Sequence, residues 1–243
     1  MKKIALVCGI LASVVVSISV GVWAMSGNEL DRARDNCLNS FMSGEKDESA
    51  CEAFVMNALP NVKQCYDRGE GVSCLFDTFP SVEQCDKNTC FVVGLSYLGA
   101  ERHKEAIPYL EKAVALGENY AVAFLAAIYG GLRDYPNAKK YAEIGCNKGN
   151  GDLVQALSCG GLGEMYENGK GVRQDDAKAA ELWKKACDME ADIACYNLGV
   201  LYARGQGVRQ DKSIAKQYYG KACDLGFQLG CDNYKLLNQQ GVR

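Results

Sequence analysis

The sequence predicts an all-α fold, a right-handed solenoid of helix-turn-helix repeats with disulfide clamps. Three observations carry that prediction. At a period of 36, Cys159, Cys195 and Cys231 coincide, as do Gly163 with Gly199, Tyr166 with Tyr202, and the pentapeptide GVRQD at 171–175 with its copy at 207–211. Ala186-Cys187-Asp188 and Ala222-Cys223-Asp224 join the same register, and matches this dense mark an internal repeat. Within a unit, Cys195, Leu198, Gly199 and Tyr202 fall at i, i+3, i+4 and i+7, one face of a helix. Finally, thirteen cysteines become twelve once a leader is removed, and an even set in an exported chain reads as a disulfide framework.

From the amino end, Met1-Lys2-Lys3, the uncharged run from Ile4 and the closing Val22-Trp23-Ala24 assign residues 1–24 to a signal peptide cut after Ala24. The run is about long enough to span a bilayer, so an uncleaved anchor is the alternative. After cleavage no membrane span is expected. Cleavage removes Lys2, Lys3 and Cys8 but no acid, which takes the formal net charge from -3 to about -5. A mildly acidic chain without a basic run argues against nucleic acid as a partner. The expected location is secreted or periplasmic, of the Gram-negative type, with the export and disulfide-forming machinery as its first partners.

Residues 25–90 read as degenerate cysteine-rich helical repeats or an amino-terminal cap. There LPNVKQC (59–65) and FPSVEQC (79–85) agree at Pro, Val, Gln and Cys with a period of 20, each proline standing where a new helix can start. Residues 91–158 hold looser repeats, with Tyr97, Tyr129 and Tyr166 separated by 32 and 37 positions. Residues 159–243 hold two well-preserved repeats and a carboxy-terminal capping helix. Gly205 and Gly207 end a first helix in a turn that needs positive φ. Asp211 then caps a second helix whose Ala215, Tyr219 and Ala222 face inward. In the preceding copy Asp175 or Asp176 is the cap, and Ala179, Trp183 and Ala186 face inward.

The pattern Leu-Gly-x-x-Tyr, then Gly-x-Gly-Val-x-x-Asp, then Lys-Ala-Cys resembles the Sel-one-like repeat. The stretch GLSYLGAERHKEAIPYLEKAVALG (94–117) is more similar to the related tetratricopeptide repeat, without the Gly-x-Gly-Val insert. The added cysteines resemble the cysteine-rich branch of the family, whose bacterial members are exported and grouped as Hcp-type β-lactamases. The resemblance implies a concave groove, lined by the first helix of each unit, that binds proteins or peptides. Its alternative implication is a penicillin-binding protein with slow β-lactamase activity.

The paired cysteines can be staples, a redox couple or metal ligands. In the preserved units one cysteine ends a second helix and the other begins the next first helix, and a tight junction can bring their α-carbons within disulfide range. Pairing sequential neighbours gives Cys187–Cys195, Cys223–Cys231, Cys146–Cys159, Cys37–Cys51, Cys65–Cys74 and Cys85–Cys90. At the one remaining junction both cysteine positions are apolar, Val114 and Val122, also eight apart, as suits a bond lost as a pair. Zinc sites favour closely spaced pairs in sets of four, and His103 is the chain's single histidine. A catalytic redox pair would want Cys-x-x-Cys, which is absent. The spacing therefore favours staples, with no metal and no cofactor.

For catalysis, a serine β-lactamase wants Ser-x-x-Lys with Ser-Asp-Asn and Lys-Thr-Gly elsewhere. Ser213 with Lys216, and Ser43 with Lys46, match the first motif; neither companion motif occurs. Glu164 and Glu167 are the best-placed carboxylates for acid–base work, although such a pair more often forms a solvated helix face. The sequence thus leans toward a non-catalytic binding protein. By the tetratricopeptide register its groove positions are Phe91, Leu95 and Leu98, then Tyr120, Ala123 and Ala127, then Glu164 and Glu167, then Tyr196, Val200 and Arg204. An extended peptide with an apolar segment followed by a basic residue would suit that order. The competing reading packs several of these residues against a neighbouring helix, Phe91 and Leu95 first.

Overall fold

A computed structural model describes residues 79–148 and 153–242, together with Arg32, Asp35 and Asn36. The leader, the Ser43/Lys46 motif, the stretch 59–65 and the pairings Cys37–Cys51 and Cys65–Cys74 lie outside the described residues. Among the described residues there are nine α-helices and no strand. They are α1 (Lys87–Gly99), α2 (His103–Ala115), α3 (Tyr120–Gly131), α4 (Tyr135–Lys148), α5 (Leu153–Asn168), α6 (Asp176–Asp188), α7 (Asp192–Arg204), α8 (Lys212–Asp224) and α9 (Gln228–Gln239). The chain divides between Ala121 and Val122 into two compact units. No helix among the described residues is long and apolar enough to cross a membrane.

In the first unit α1 and α2 pack as a hairpin. Gly94 makes this possible, since a Cβ there would stand 2.7 Å from the Leu110 side chain. Tyr97 rests edge-on to Phe79 at 5.5 Å and beside Tyr109 at 5.6 Å, and the Tyr109 hydroxyl donates to the Pro80 carbonyl at 3.0 Å. The stretch 79–85 corrects one expectation, because Pro80 does not start a helix. The Gln84 and Cys85 N–H groups both donate to the Ser81 carbonyl and close a single turn. Helix α1 begins only after Asp86, whose carboxylate caps the Thr89 N–H at 2.8 Å. A division of the chain at residues 90/91 would therefore cut α1, and one at 158/159 would cut α5.

The second unit repeats one packing rule. Each first helix (α5, α7) lies on its own second helix (α6, α8), and each second helix lies on the next first helix. The side chain in contact is large on one helix and absent on the other. Trp183 covers Gly163 and Tyr219 covers Gly199, where a Cβ would stand 3.1 and 2.8 Å from the rings. Around them Leu162, Leu182, Leu198 and Leu201 form the core with the buried alanines.

The Gly-x-Gly-Val insert has its own reason. Gly205 ends α7 at φ 72°, a left-handed conformation that glycine adopts without a Cβ penalty. Two residues on, Gly207 at φ 67° lies against the backbone of Asp176 at the start of α6, leaving no room for a side chain. Asp175 and Asp211 then cap α6 and α8: Asp175 takes the Lys178 N–H at 2.9 Å, and Asp211 takes those of Ser213 and Ile214 at 2.9 and 3.1 Å.

Candidate functional site

Four disulfides fall among the described residues. Cys85–Cys90 closes the turn before α1, with α-carbons 5.3 Å apart. Cys146–Cys159, Cys187–Cys195 and Cys223–Cys231 each join the end of a second helix to the following first helix, with α-carbons 4.6, 4.6 and 4.5 Å apart. Two lysines reinforce these junctions. Lys185 donates to the Cys146 carbonyl at 2.7 Å, and Lys221 donates to the Cys187 carbonyl at 2.8 Å. The lysine of Lys-Ala-Cys thus reaches back across a repeat boundary to a helix-end carbonyl, the position where a cation is favourable. Among the described residues no group of three or more His, Cys, Asp or Glu side chains could hold a metal ion.

The candidate catalytic residues are occupied otherwise. Ser213 is exposed at the start of α8, where its N–H serves the Asp211 cap. The Lys216 ammonium donates to the Val242 carbonyl at 2.6 Å and lies 5.5 Å from the centroid of the Tyr234 ring. Among the described residues no hydrogen bond joins Ser213 to Lys216. Glu164 pairs with Lys170 at 2.7 Å on the surface, and the hydrogen bond it accepts raises the lysine's pKa. Glu167 accepts the Trp183 indole N–H at 2.9 Å. The two carboxylates serve a surface pair and a buried tryptophan.

The expected groove residues separate in the same way. Phe91, Leu95 and Leu98 are buried in the first unit and offer a ligand no surface, which corrects their assignment. After its first turn α1 is apolar but for Ser96, and such a helix belongs in an interior. Tyr120 is half-buried in that unit. In the second unit Ala123 is half-buried and Ala127 exposed, each with only a methyl group to offer. Tyr196 packs into an aromatic cluster, 5.6 Å from Tyr219 and 5.1 Å from Phe227. Val200 leans on the small core around Leu237, while Arg204 is exposed.

The face the first helices do present is set differently. Leu157 on α5, Ile193 on α7 and Leu229 on α9 occupy the same repeat position, 36 residues apart, and are 54, 52 and 53 % exposed. One turn further the matching residues are Gly161, Asn197 and Asn233, and the next turn brings Glu164, Val200 and the 49 % exposed Leu236. The second helices α6 and α8 contribute no large exposed apolar side chain. The outer face of α6 carries Lys178, Glu181, Lys184 and Asp188, in ion pairs at 2.8 and 2.7 Å, and that of α8 exposes Lys212, Ser213, Gln217 and Asp224. Nor is the exposure a property of α9 as a whole. At its positions matching the buried Leu198 and Gly199 of α7, α9 carries the partly exposed Tyr234 and the charged Lys235. The side of α9 that would dock a second helix is thus polar, while its Leu229 and Leu236 continue the outer face. Sequence reasoning missed this row because it followed the inward face; the same period of 36, applied to positions off that face, would have found it.

These features define a helical-repeat protein clamped by disulfides at its repeat junctions. The Sel1 repeat family matches at residues 119–150, 156–190 and 192–227, so the repeat extends upstream of the two best-preserved units. Cysteine-rich protein B of Helicobacter pylori (hcpB) is 32 % identical over 54 % of this chain and 92 % of its own, with a TM-score of 0.43. The structure of c5321, described as a protective antigen of uropathogenic Escherichia coli strains displaying an SLR fold, is 23 % identical with a TM-score of 0.64. That match covers 88 % of this chain but only 44 % of the c5321 chain. A Sel1 repeat protein from Oxalobacter formigenes is 19 % identical, covering 77 % of this chain and 76 % of its own at a TM-score of 0.58. A comparison with curated proteins finds no match. The chain belongs to the family of cysteine-rich Sel1 repeat proteins, and Sel1 repeat proteins are protein-interaction scaffolds.

Proposed function

We propose that this chain is an exported, disulfide-stabilised scaffold that binds a protein or peptide through the outer face of α5, α7 and α9. The observation that carries the reading is the row Leu157, Ile193 and Leu229, half exposed at one repeat position, against second helices α6 and α8 that expose no large apolar side chain. Covering a half-exposed leucine or isoleucine is worth roughly 1 kcal/mol, so three in line supply a useful part of a peptide affinity. The amide of Asn197, one turn along, suits the main chain of an extended segment, since it can donate and accept at once, while the Asn233 amide donates to the Tyr196 hydroxyl at 3.4 Å. Export rests on the lysine-led apolar leader at residues 1–24, and the junction disulfides suit an oxidising compartment.

The test is a displayed peptide library panned against the mature protein and against a Leu157→Ser, Ile193→Ser, Leu229→Ser variant of matched circular dichroism. The parent is expected to enrich apolar peptides that the variant does not retain. Equal enrichment on both proteins would remove this face from the account.

A further inference from the structure

The described disulfides are not equally protected. Three of them have both half-cystines buried, whereas Cys223 and Cys231 are partly exposed. The helix beyond this bond is lightly held. Of α9 only Gly230 and Leu237 are buried, and a helix of 12 residues is marginal without tertiary support. Its noncovalent ties are Leu237 against Ala215 and Tyr219, the Lys216 ammonium 5.5 Å from the Tyr234 centroid, a 3.4 Å hydrogen bond from Asn233 to the Tyr196 hydroxyl, and the close backbone seat of Gly230 against Ala222.

We infer that Cys223–Cys231 is a redox latch: a dithiol reductant opens it before the other described disulfides, and its opening releases α9. A thiolate of the reductant attacks one of the two sulfurs, breaks the S–S bond and forms a mixed disulfide. The reductant's second thiol then displaces the protein cysteine. The reductant leaves as its own disulfide, and two electrons and two protons remain on Cys223 and Cys231 as thiols. Access to the sulfur sets the order, because exchange needs in-line approach of the thiolate and exposed bonds are the labile ones. Release of α9 uncovers Tyr219 and Ala222 and carries Leu229 and Leu236 away from the outer face. The latch stands without the proposed binding function; only its effect on a ligand rests on that reading.

The experiment treats the mature oxidised protein with graded dithiothreitol, traps thiols with N-ethylmaleimide and follows each cysteine peptide by mass spectrometry. Hydrogen exchange of α9 is measured on the same samples. Cys223 and Cys231 are expected to label about tenfold faster than the buried half-cystines, with exchange of α9 rising in step. A Cys223→Ser, Cys231→Ser variant is expected to show that fast exchange without reductant. Labelling of all the described disulfides at one rate, or an α9 still protected when this bond is open or absent, would overturn the inference. None of these readings involves a ligand, so failure of the latch and failure of the binding face are distinguishable.

Discussion

A pair of glycine substitutions probes the packing rule most sharply, because the same chemical change should act in opposite directions. Gly161 and Gly199 both lie inside helices, and replacing either with alanine gains about 1 kcal/mol in helix propensity. At Gly161, on the outer face of α5, a Cβ meets nothing within 4 Å, so the whole gain should appear as stability. At Gly199 the Cβ would stand 2.8 Å from two carbons of the Tyr219 ring and 3.2 Å from the Ala215 carbonyl. The ring has little room to yield, being 5 % exposed and packed against Tyr196 at 5.6 Å. Overpacking of this kind costs about 1–3 kcal/mol, which exceeds the propensity gain and leaves a net loss of about 1 kcal/mol. The two variants should therefore differ by about 2 kcal/mol, or about 4–8 °C in melting temperature. Urea and thermal denaturation of the mature, oxidised protein read both. Two variants that shift together, in either direction, would refute the claim that Gly199 is kept for close approach of α7 to α8.

Other perturbations follow from single contacts. The Ser158 hydroxyl is buried with no hydrogen-bond partner among the described residues, so Ser158→Ala should raise stability by up to about 1 kcal/mol in urea denaturation. Burial raises the Tyr219 pKa, helped by Tyr196 and opposed by Arg204. The neutral phenol is therefore favoured in the folded state. The associated stability is complete below the ordinary tyrosine value of about 10 and is lost as pH rises through the raised one. In alkaline difference spectroscopy, the signal missing from Tyr219→Phe should fall at the high-pH end of the tyrosinate titration. With its ammonium committed to the Val242 carbonyl, Lys216 is not placed to activate Ser213. A fluorescent penicillin is accordingly expected to leave no denaturation-resistant label that depends on Ser213, and a label abolished by Ser213→Ala would reverse that conclusion.

What the sequence disclosed depended on how far each feature's partner lay along the chain. The caps Asp175 and Asp211 act on N–H groups two or three residues away, and the left-handed glycines answer a local turn, so both are legible in a single unit. Repetition added the helix pairs and the junction cysteines. The lysine of Lys-Ala-Cys could be seen to repeat, but its acceptors lie 39 and 34 residues back, and only the packed structure brings them together. Glu167 was legible as a helix-face acid, while its commitment to Trp183, 16 residues on, was not. The groove residues show a different failure. Transferring a tetratricopeptide register selected Tyr196, which the Sel1 packing turns toward Tyr219 and Phe227. The same transfer passed over Ile193 three residues earlier. In α1 the warning was present in the sequence, since FVVGLSYL offers no polar face for solvent.

The central claim is that partners bind on the first helices of the second unit and not on the second helices. Photo-cross-linking tests it directly, using a selected peptide that carries a benzophenone and mapping the attachment sites by mass spectrometry. The account predicts adducts on α5, α7 and α9, around Leu157, Ile193 and Leu229. Adducts on α6 and α8, around Lys178, Lys184 and Gln217, would contradict it.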